Sequence, residues 1–261
     1  MTTREVDRIV YECDGAGDAV LMVHGLGGTS NTWAAMMPAF AAWQAIRIDL
    51  PGAGRSWRLD GELSIARLVD AVQRVADDAG VTRAHLVGHS MGCIVAMHLA
   101  AARPTLVRSL CLFGPLLAPP EAARAAIRAR GRKALDEGQA GMQAIADALL
   151  EVSVATETRE RRRAACAFVR ESIMRQPPAG YHRHCEALAA ATEADVGAIR
   201  CPTLLVTGDQ DAIAPPQAVR DLGRRLHDAS VEVLRGCGHW EPVEQPDECM
   251  TLVRQFLSRR R

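Results

Sequence analysis

Lysine is nearly absent from this chain. Lys133 is the sole example, and arginine carries almost all the positive charge. Acidic and basic residues balance to a formal net charge of zero. That excludes the basic field expected of a nucleic-acid binder, and no acidic tail is present. Apolar runs long enough to span a bilayer are also missing, which excludes a membrane helix. None of the eight cysteines forms a C-x-x-C pair, so neither a zinc knuckle nor a dithiol redox motif is supported. The first residues, Met1-Thr2-Thr3-Arg4-Glu5-Val6-Asp7, lack the apolar core of a signal peptide. A reduced, cytoplasmic protein is the resulting expectation.

What is present is an alternation of short apolar strands and helical stretches. Val20 to Val23 reads as a strand ending in His24-Gly25-Leu26-Gly27-Gly28, with a helix expected from Asn31 to Phe40. Ala45 to Ile48 is the next strand, closing at Asp49. Ser64 is placed to cap a helix with apolar spacing through Ile65, Leu68, Val72 and Val75. Ala84 to Val87 and Leu110 to Phe113 are further strands. From Leu116 to Ala198 strands give way to alanine- and arginine-rich helices, with breaks expected at Gly131, at Gly138 to Gly141 and at Pro177-Pro178. Alternation resumes with a strand at Thr203 to Thr207, a helix at Gln217 to Leu226, a strand at Val231 to Leu234 and a helix at Pro246 to Leu257. This predicts an α/β protein with a doubly wound, mostly parallel sheet. Its core comprises residues 1–115 and 199–261, with residues 116–198 inserted as a helical cap. Arg259-Arg260-Arg261 is expected to be a frayed end.

The chemistry is carried by Gly88-His89-Ser90-Met91-Gly92, a serine between glycines where a strand turns sharply into a helix. Such a turn exposes the hydroxyl and aims a helix N-terminus at it. Serine attack on a carbonyl requires a base, a group to orient that base, and oxyanion donors. His239, after a strand in Gly238-His239-Trp240, is the candidate base. Asp211 and Asp209 both follow the strand ending at Thr207. Asp209, tighter in the turn, is assigned to local backbone, and Asp211 to the imidazole. The order serine, acid, histidine is that of one known hydrolase arrangement. The N–H groups of Leu26 and Met91 are the candidate oxyanion donors, with glycines 25, 27 and 28 allowing close approach. Gly25, Trp240, Met142 and Phe168 are candidate lining residues of the substrate pocket.

Together, in order and at strand ends, these pieces resemble the α/β-hydrolase superfamily over nearly the whole chain. Asp49-Leu50-Pro51-Gly52-Ala53-Gly54-Arg55-Ser56 adds to the match. Gly141 to Ala148, Gly180-Tyr181, Cys185 to Leu188 and Cys201 to Leu205 are most similar to 3-oxoadipate enol-lactonases and related serine carboxylesterases. The resemblance implies a serine hydrolase cleaving a small carboxylic ester or lactone through an acyl-enzyme, without metal or organic cofactor. It also implies alternatives on the same scaffold: hydrolysis of a C–C bond in a meta-cleavage-type diketone, cofactor-free perhydrolysis, or low-turnover ligand binding. The departures bear on the substrate. Lids of such lactonases commonly contribute tryptophan, and this insert has only Phe168 and Tyr181 as aromatics.

Elsewhere, plainer readings apply. Gly25 to Gly28 lacks the G-x-G-x-x-G spacing of a dinucleotide site. His24 is read as bracing its loop, Asp49 as tying down its own loop rather than a metal. His182, His184 and Cys185 are read as a solvated or pocket-facing helix rather than a zinc site.

Overall fold

The computed structural model describes residues 1–259; the expectation for Arg260 and Arg261 lies outside them. Two strands that the sequence did not reveal open the chain, β1 (Thr2–Val6) and β2 (Ile9–Asp14). β3 (Ala19–Val23) follows, then 3₁₀ turns over Ser30–Phe40, β4 (Gln44–Ile48), α1 (Ile65–Asp78), β5 (Ala84–His89), α2 (Met91–Ala102) and β6 (Val107–Phe113). Four helices come next: α3 (Glu121–Ser153), α4 (Thr156–Arg161), α5 (Arg163–Met174) and α6 (Pro178–Ala189). The chain then returns through β7 (Thr203–Gly208), α7 (Pro216–Arg225), β8 (Ala229–Leu234), α8 (Glu241–Glu244) and α9 (Pro246–Ser258).

The strands form one sheet in the order β1-β2-β4-β3-β5-β6-β7-β8. β1 and β2 pair antiparallel with each other, and β2 pairs antiparallel with β4; the remaining neighbours are parallel. Successive strand residues face opposite ways, and the core divides accordingly. Leu21, Ile46, Leu86, Leu110 and Leu205 join α1 and α2 on one face. Val20, Met22, Val87, Cys111 and Val206 join Trp33, Phe40 and α9 on the other. Parallel strands buried on both faces account for the continuous apolar runs in the sequence.

The expected helix after β3 is a run of 3₁₀ turns with Pro38 inside it. Proline removes a backbone donor and crowds the preceding turn, which disfavours a regular α-helix there. Gly131 does not break α3. A Cβ there would lie 2.7 Å from Cys185 Cβ, so the glycine permits α3 and α6 to pack closely. Gly138 does interrupt the helix, at φ 59° and ψ −134°. The bend is sharp, since a Cβ on Gly141 would lie 2.5 Å from the Lys133 carbonyl oxygen, eight residues earlier. In a straight helix those positions stand about 12 Å apart. Pro177 and Pro178 start α6 rather than merely ending α5, with Pro178 in the first turn.

The parallel register sets the site. Val23 aligns with Gly88, His89 with Phe113, Phe113 with Val206, and Gly208 with Leu234. The loops carrying His24, Ser90, Asp211 and His239 therefore leave the same edge of the sheet. Open α/β sheets bind ligands at that carboxyl edge. Among the described residues, no helix is long and apolar enough to cross a membrane.

Candidate active site

Ser90 sits between β5 and α2 with φ 54° and ψ −119°, a conformation that strains a residue bearing a Cβ. Its N–H donates to the Phe113 carbonyl at 2.9 Å, and its own carbonyl accepts from Cys93 N–H at 2.8 Å, so both flanks of the turn are fixed. Ser90 Oγ lies 2.8 Å from His239 Nε2, and His239 Nδ1 lies 2.8 Å from Asp211 Oδ2. The second Asp211 oxygen accepts from the N–H groups of Ile213 and Ala214, both at 2.8 Å. Burial works to raise the Asp211 pKa, but His239 and these backbone donors outweigh it and hold the carboxyl below its usual range. An ionised Asp211 selects the tautomer with hydrogen on Nδ1. That leaves Nε2 with its lone pair toward Ser90, ready to accept the hydroxyl proton. Asp209, as expected, accepts from backbone instead, from Gly236 N–H at 2.8 Å.

The histidine loop is held by a residue that sequence reasoning missed. The Glu244 carboxylate accepts from the N–H groups of Gly238, Trp240 and Ala155 at 2.9 to 3.2 Å. His239 N–H donates to the Ser153 carbonyl at 2.8 Å, so the end of α3 fixes the imidazole-bearing backbone directly. The clue in sequence was an acid five residues after His239, indistinguishable there from a solvated helix residue.

His24 is fully buried and bridges two loops: Nδ1–H donates to the Gly25 carbonyl at 2.8 Å and Nε2 accepts Leu50 N–H at 3.0 Å. Burial lowers its pKa, consistent with a bracing neutral ring. Gly25 stands against the nucleophile, since a Cβ there would lie 2.8 Å from Ser90 Cβ. Gly28 N–H closes a turn onto the Gly25 carbonyl at 3.1 Å, with Gly27 at φ 80°. Leu26, at the tip of that turn, lines a cavity with Ser90, and Met91 is buried as the first residue of α2. Asp49 accepts from Ser30 and Arg55 backbone N–H groups and from the Arg55 guanidinium, which ties down its loop. His184 donates to the Pro51 carbonyl at 2.7 Å while Cys185 packs under Gly131, so these two serve separate contacts.

The cavity above Ser90 has a volume of about 280 Å³ and lies between the sheet edge and the α3–α6 segment. Trp240 lines it and donates through Nε1 to Ser153 Oγ at 3.2 Å. Met142 and Phe168 lie elsewhere. Beyond the Gly138 bend, Met142 is fully buried in the core, and Phe168 on α5 lines a different groove with Asp49, Arg55 and Glu171. Leu116, Ile127, Leu149 and Leu188 supply the apolar lining in their place. Helical spacing could not reveal this, because the bend at Gly138 redirects every side chain after it.

Glu241 was also missed. It is fully buried next to the site, and neither carboxyl oxygen has a hydrogen-bond partner. Burial first, and the nearby Asp211 charge second, push its pKa well above the ordinary carboxylate range. One Glu241 oxygen lies 4.0 Å from His89 Nε2. His89, whose pKa burial depresses to about 3, donates from Nε2 to the His239 carbonyl at 2.7 Å. Asp211, His239 and Glu241 form the one set of potential metal ligands that converges among the described residues. Asp211 and His239 are engaged with each other, and a neutral Glu241 is a poor ligand for a cation.

Residues 18–246 match the family model described as the alpha/beta hydrolase fold. The chain belongs to the α/β-hydrolase fold family. This α/β hydrolase is 30% identical to a 2-hydroxymuconate semialdehyde hydrolase of Pseudomonas putida, over 94% of this chain and 88% of that protein. Among solved structures, it resembles the enol-lactonase of Burkholderia xenovorans, with a TM-score of 0.90 and 26% identity. That match covers 98% of this chain and all of the other. A thermophilic esterase from Thermogutta terrifontis matches at a TM-score of 0.89 and 25% identity, over 96% of this chain and 93% of that one.

Proposed function

We propose that the protein is a serine hydrolase that cleaves a small carboxylic ester or lactone through an acyl-enzyme. The observation that carries this is the continuous chain from Ser90 Oγ through His239 to Asp211, each link 2.8 Å, opening into the cavity of about 280 Å³. As His239 Nε2 takes its proton, Ser90 Oγ attacks the substrate carbonyl. Asp211 keeps the imidazole oriented and stabilises its charged form. The N–H groups of Leu26 and Met91 receive the oxyanion of the tetrahedral intermediate, aided by the N-terminus of α2. His239 then protonates the leaving alcohol. Water, deprotonated by the same nitrogen, releases the acid and restores Ser90. No step calls on a metal or organic cofactor. Residues 116–198 act as a cap over a core of residues 1–115 and 199–261, with Gly25 and Trp240 beside the reacting carbonyl.

The decisive experiment pairs Ser90→Ala with the unaltered protein. The variant should lose turnover of short p-nitrophenyl esters and labelling by a neutral fluorophosphonate. Undiminished hydrolysis by Ser90→Ala would exclude the mechanism.

A second reading, C–C bond hydrolysis, is favoured by the similarity to the 2-hydroxymuconate semialdehyde hydrolase. It uses the same three residues. A vinylogous diketone turned over faster than any ester or lactone in a side-by-side panel would select it.

A further inference from the structure

The loop that carries the Leu26 N–H is clasped by the segment joining α5 to α6. Ser172, near the end of α5, donates through Oγ to the Gly27 carbonyl at 2.7 Å. Gln176, between α5 and α6, donates through Nε2 to the carbonyls of Gly27 at 3.2 Å, Gly28 at 3.1 Å and Ser172 at 2.9 Å. Its Oε1 accepts the Gly54 N–H at 3.3 Å, from the Asp49 loop. Three carbonyls around the nitrogen and an N–H at the oxygen leave this amide one orientation. Gln176 is buried, so these bonds are made out of reach of solvent. A Cβ on Gly27 would lie 2.9 Å from Ile173 Cγ1, so α5 packs on the loop as well as bonding to it.

Peptide planarity carries this clasp to the oxyanion donor. In a trans peptide the C=O and N–H point in opposite directions and turn as one unit. Gln176 and Ser172 hold the Gly27 carbonyl, which fixes the Gly28 N–H of the same peptide. That N–H donates to the Gly25 carbonyl at 3.1 Å, and the His24 Nδ1–H holds the same oxygen at 2.8 Å. The Gly25 carbonyl in turn shares its peptide with the Leu26 N–H. Glycines at 25, 27 and 28 give the loop little stiffness of its own. The aim of the Leu26 N–H therefore depends on what grips the loop from outside.

We propose that Gln176 is a positioning residue for the oxyanion hole, aiming the Leu26 N–H through the Gly27–Gly28 and Gly25–Leu26 peptides, with Ser172 in support. This rests on the serine-hydrolase reading and adds to it that the cap completes the reacting site. Gln176 does not line the cavity and touches no reacting atom. Its effect falls on the tetrahedral state, where the oxyanion forms, more than on the planar ester, and so on kcat more than on KM.

The test compares a tetrahedral ligand with a planar one. Butylboronic acid adds to the Ser90 hydroxyl as a tetrahedral adduct, and pentanamide presents a planar carbonyl on the same alkyl chain. Both are measured as inhibitors of short p-nitrophenyl ester hydrolysis by the unaltered protein, Gln176→Leu, Gln176→Glu and Ser172→Ala, below the melting transition of each. In Gln176→Leu kcat should fall roughly 10- to 100-fold, short of the roughly 10²- to 10³-fold cost of removing an oxyanion donor outright. The inhibition constant of butylboronic acid should rise by a similar factor, while KM and the constant for pentanamide change little. Gln176→Glu keeps the acceptor for the Gly54 N–H. Ionised, it faces the Gly27 and Gly28 carbonyls with no donor; protonated, it regains one. Its kcat relative to that of the unaltered protein should recover as pH is lowered through the carboxyl titration. Ser172→Ala should lose less kcat than Gln176→Leu, since Gln176 still holds the Gly27 carbonyl. Equal weakening of both inhibitors, or a raised KM at unchanged kcat, would overturn the Gln176 proposal alone and leave that residue a structural clasp. If a fluorophosphonate does not label Ser90 in the unaltered protein, the serine-hydrolase reading falls and this inference with it. Should Gln176→Leu fail to fold, the pH series of Gln176→Glu and the inhibitor pair on Ser172→Ala still decide.

Discussion

Two acids three residues apart, at the two ends of α8, behave in opposite ways. Glu244 is saturated by backbone donors, whereas Glu241 is buried with none. The raised Glu241 pKa has a definite thermodynamic sign. In the unfolded chain the carboxyl ionises in the ordinary range, near 4.3. In the folded chain it stays protonated to much higher pH. The folded state therefore binds one more proton between those limits, and stability declines as pH rises from the unfolded pKa toward the folded one. Glu241→Gln keeps the shape and removes the titration. Its melting temperature relative to the unaltered protein should climb steadily from pH 5 to pH 8; a constant difference would mean that Glu241 is not protonated in the fold. At this scale the reacting trio was legible in the sequence because strand ends, turn glycines and chain order all constrain it. The separation of Asp211 from Asp209 followed from their depth in the loop. Glu241 and Glu244 were not legible, because their meaning lies in what surrounds them and not in their spacing.

Elements were legible where one signal sufficed. Ser64 caps α1 through its hydroxyl, accepting Arg67 N–H at 3.2 Å, and the apolar stripe predicted for that helix is the face it buries. The β1–β2 hairpin escaped notice because its turn, Asp7-Arg8, adopts φ of 48° and 67° without a glycine. Such positive φ values at both positions are usually signalled by Asn-Gly or Asp-Gly. Ion pairing of Asp7 with Arg74 on α1 supports the turn instead. Gly131 provides a test in which two effects compete. Alanine in an exposed helix position is better than glycine by about 1 kcal/mol. Here the added methyl would meet Cys185 Cβ at 2.7 Å and the His182 ring at 3.2 Å. Overpacking of this type costs roughly 1 to 3 kcal/mol. Gly131→Ala should therefore lower the melting temperature, by a few degrees for a chain of this size. A gain in thermal denaturation would show that α3 and α6 have room between them.

At the scale of the whole molecule, the sheet is closed by neighbours far apart in sequence. β6 ends at Phe113, and its partner β7 begins only at Thr203. The alternation of strands and helices exposed the architecture, and the glycines at 138 and 141 the bend in α3, while the way that helix reaches the His239 backbone depends on contacts no local pattern encodes. The intervening helices have a kinetic consequence. Ordering a loop of this length before β6 and β7 can pair carries an entropic cost that local pairings such as β3 with β4 avoid. The order of assembly should follow. In pulsed hydrogen exchange during refolding, amides of β3, β4, β5 and β6 should gain protection ahead of those of β7 and β8; simultaneous protection of all six would contradict this sequence of events. Asp211 and His239 both lie on the late-joining side and Ser90 on the early one. The nucleophile's strained turn would thus be in place before its base arrives, and the ability to react with a fluorophosphonate would emerge as the closing event of folding.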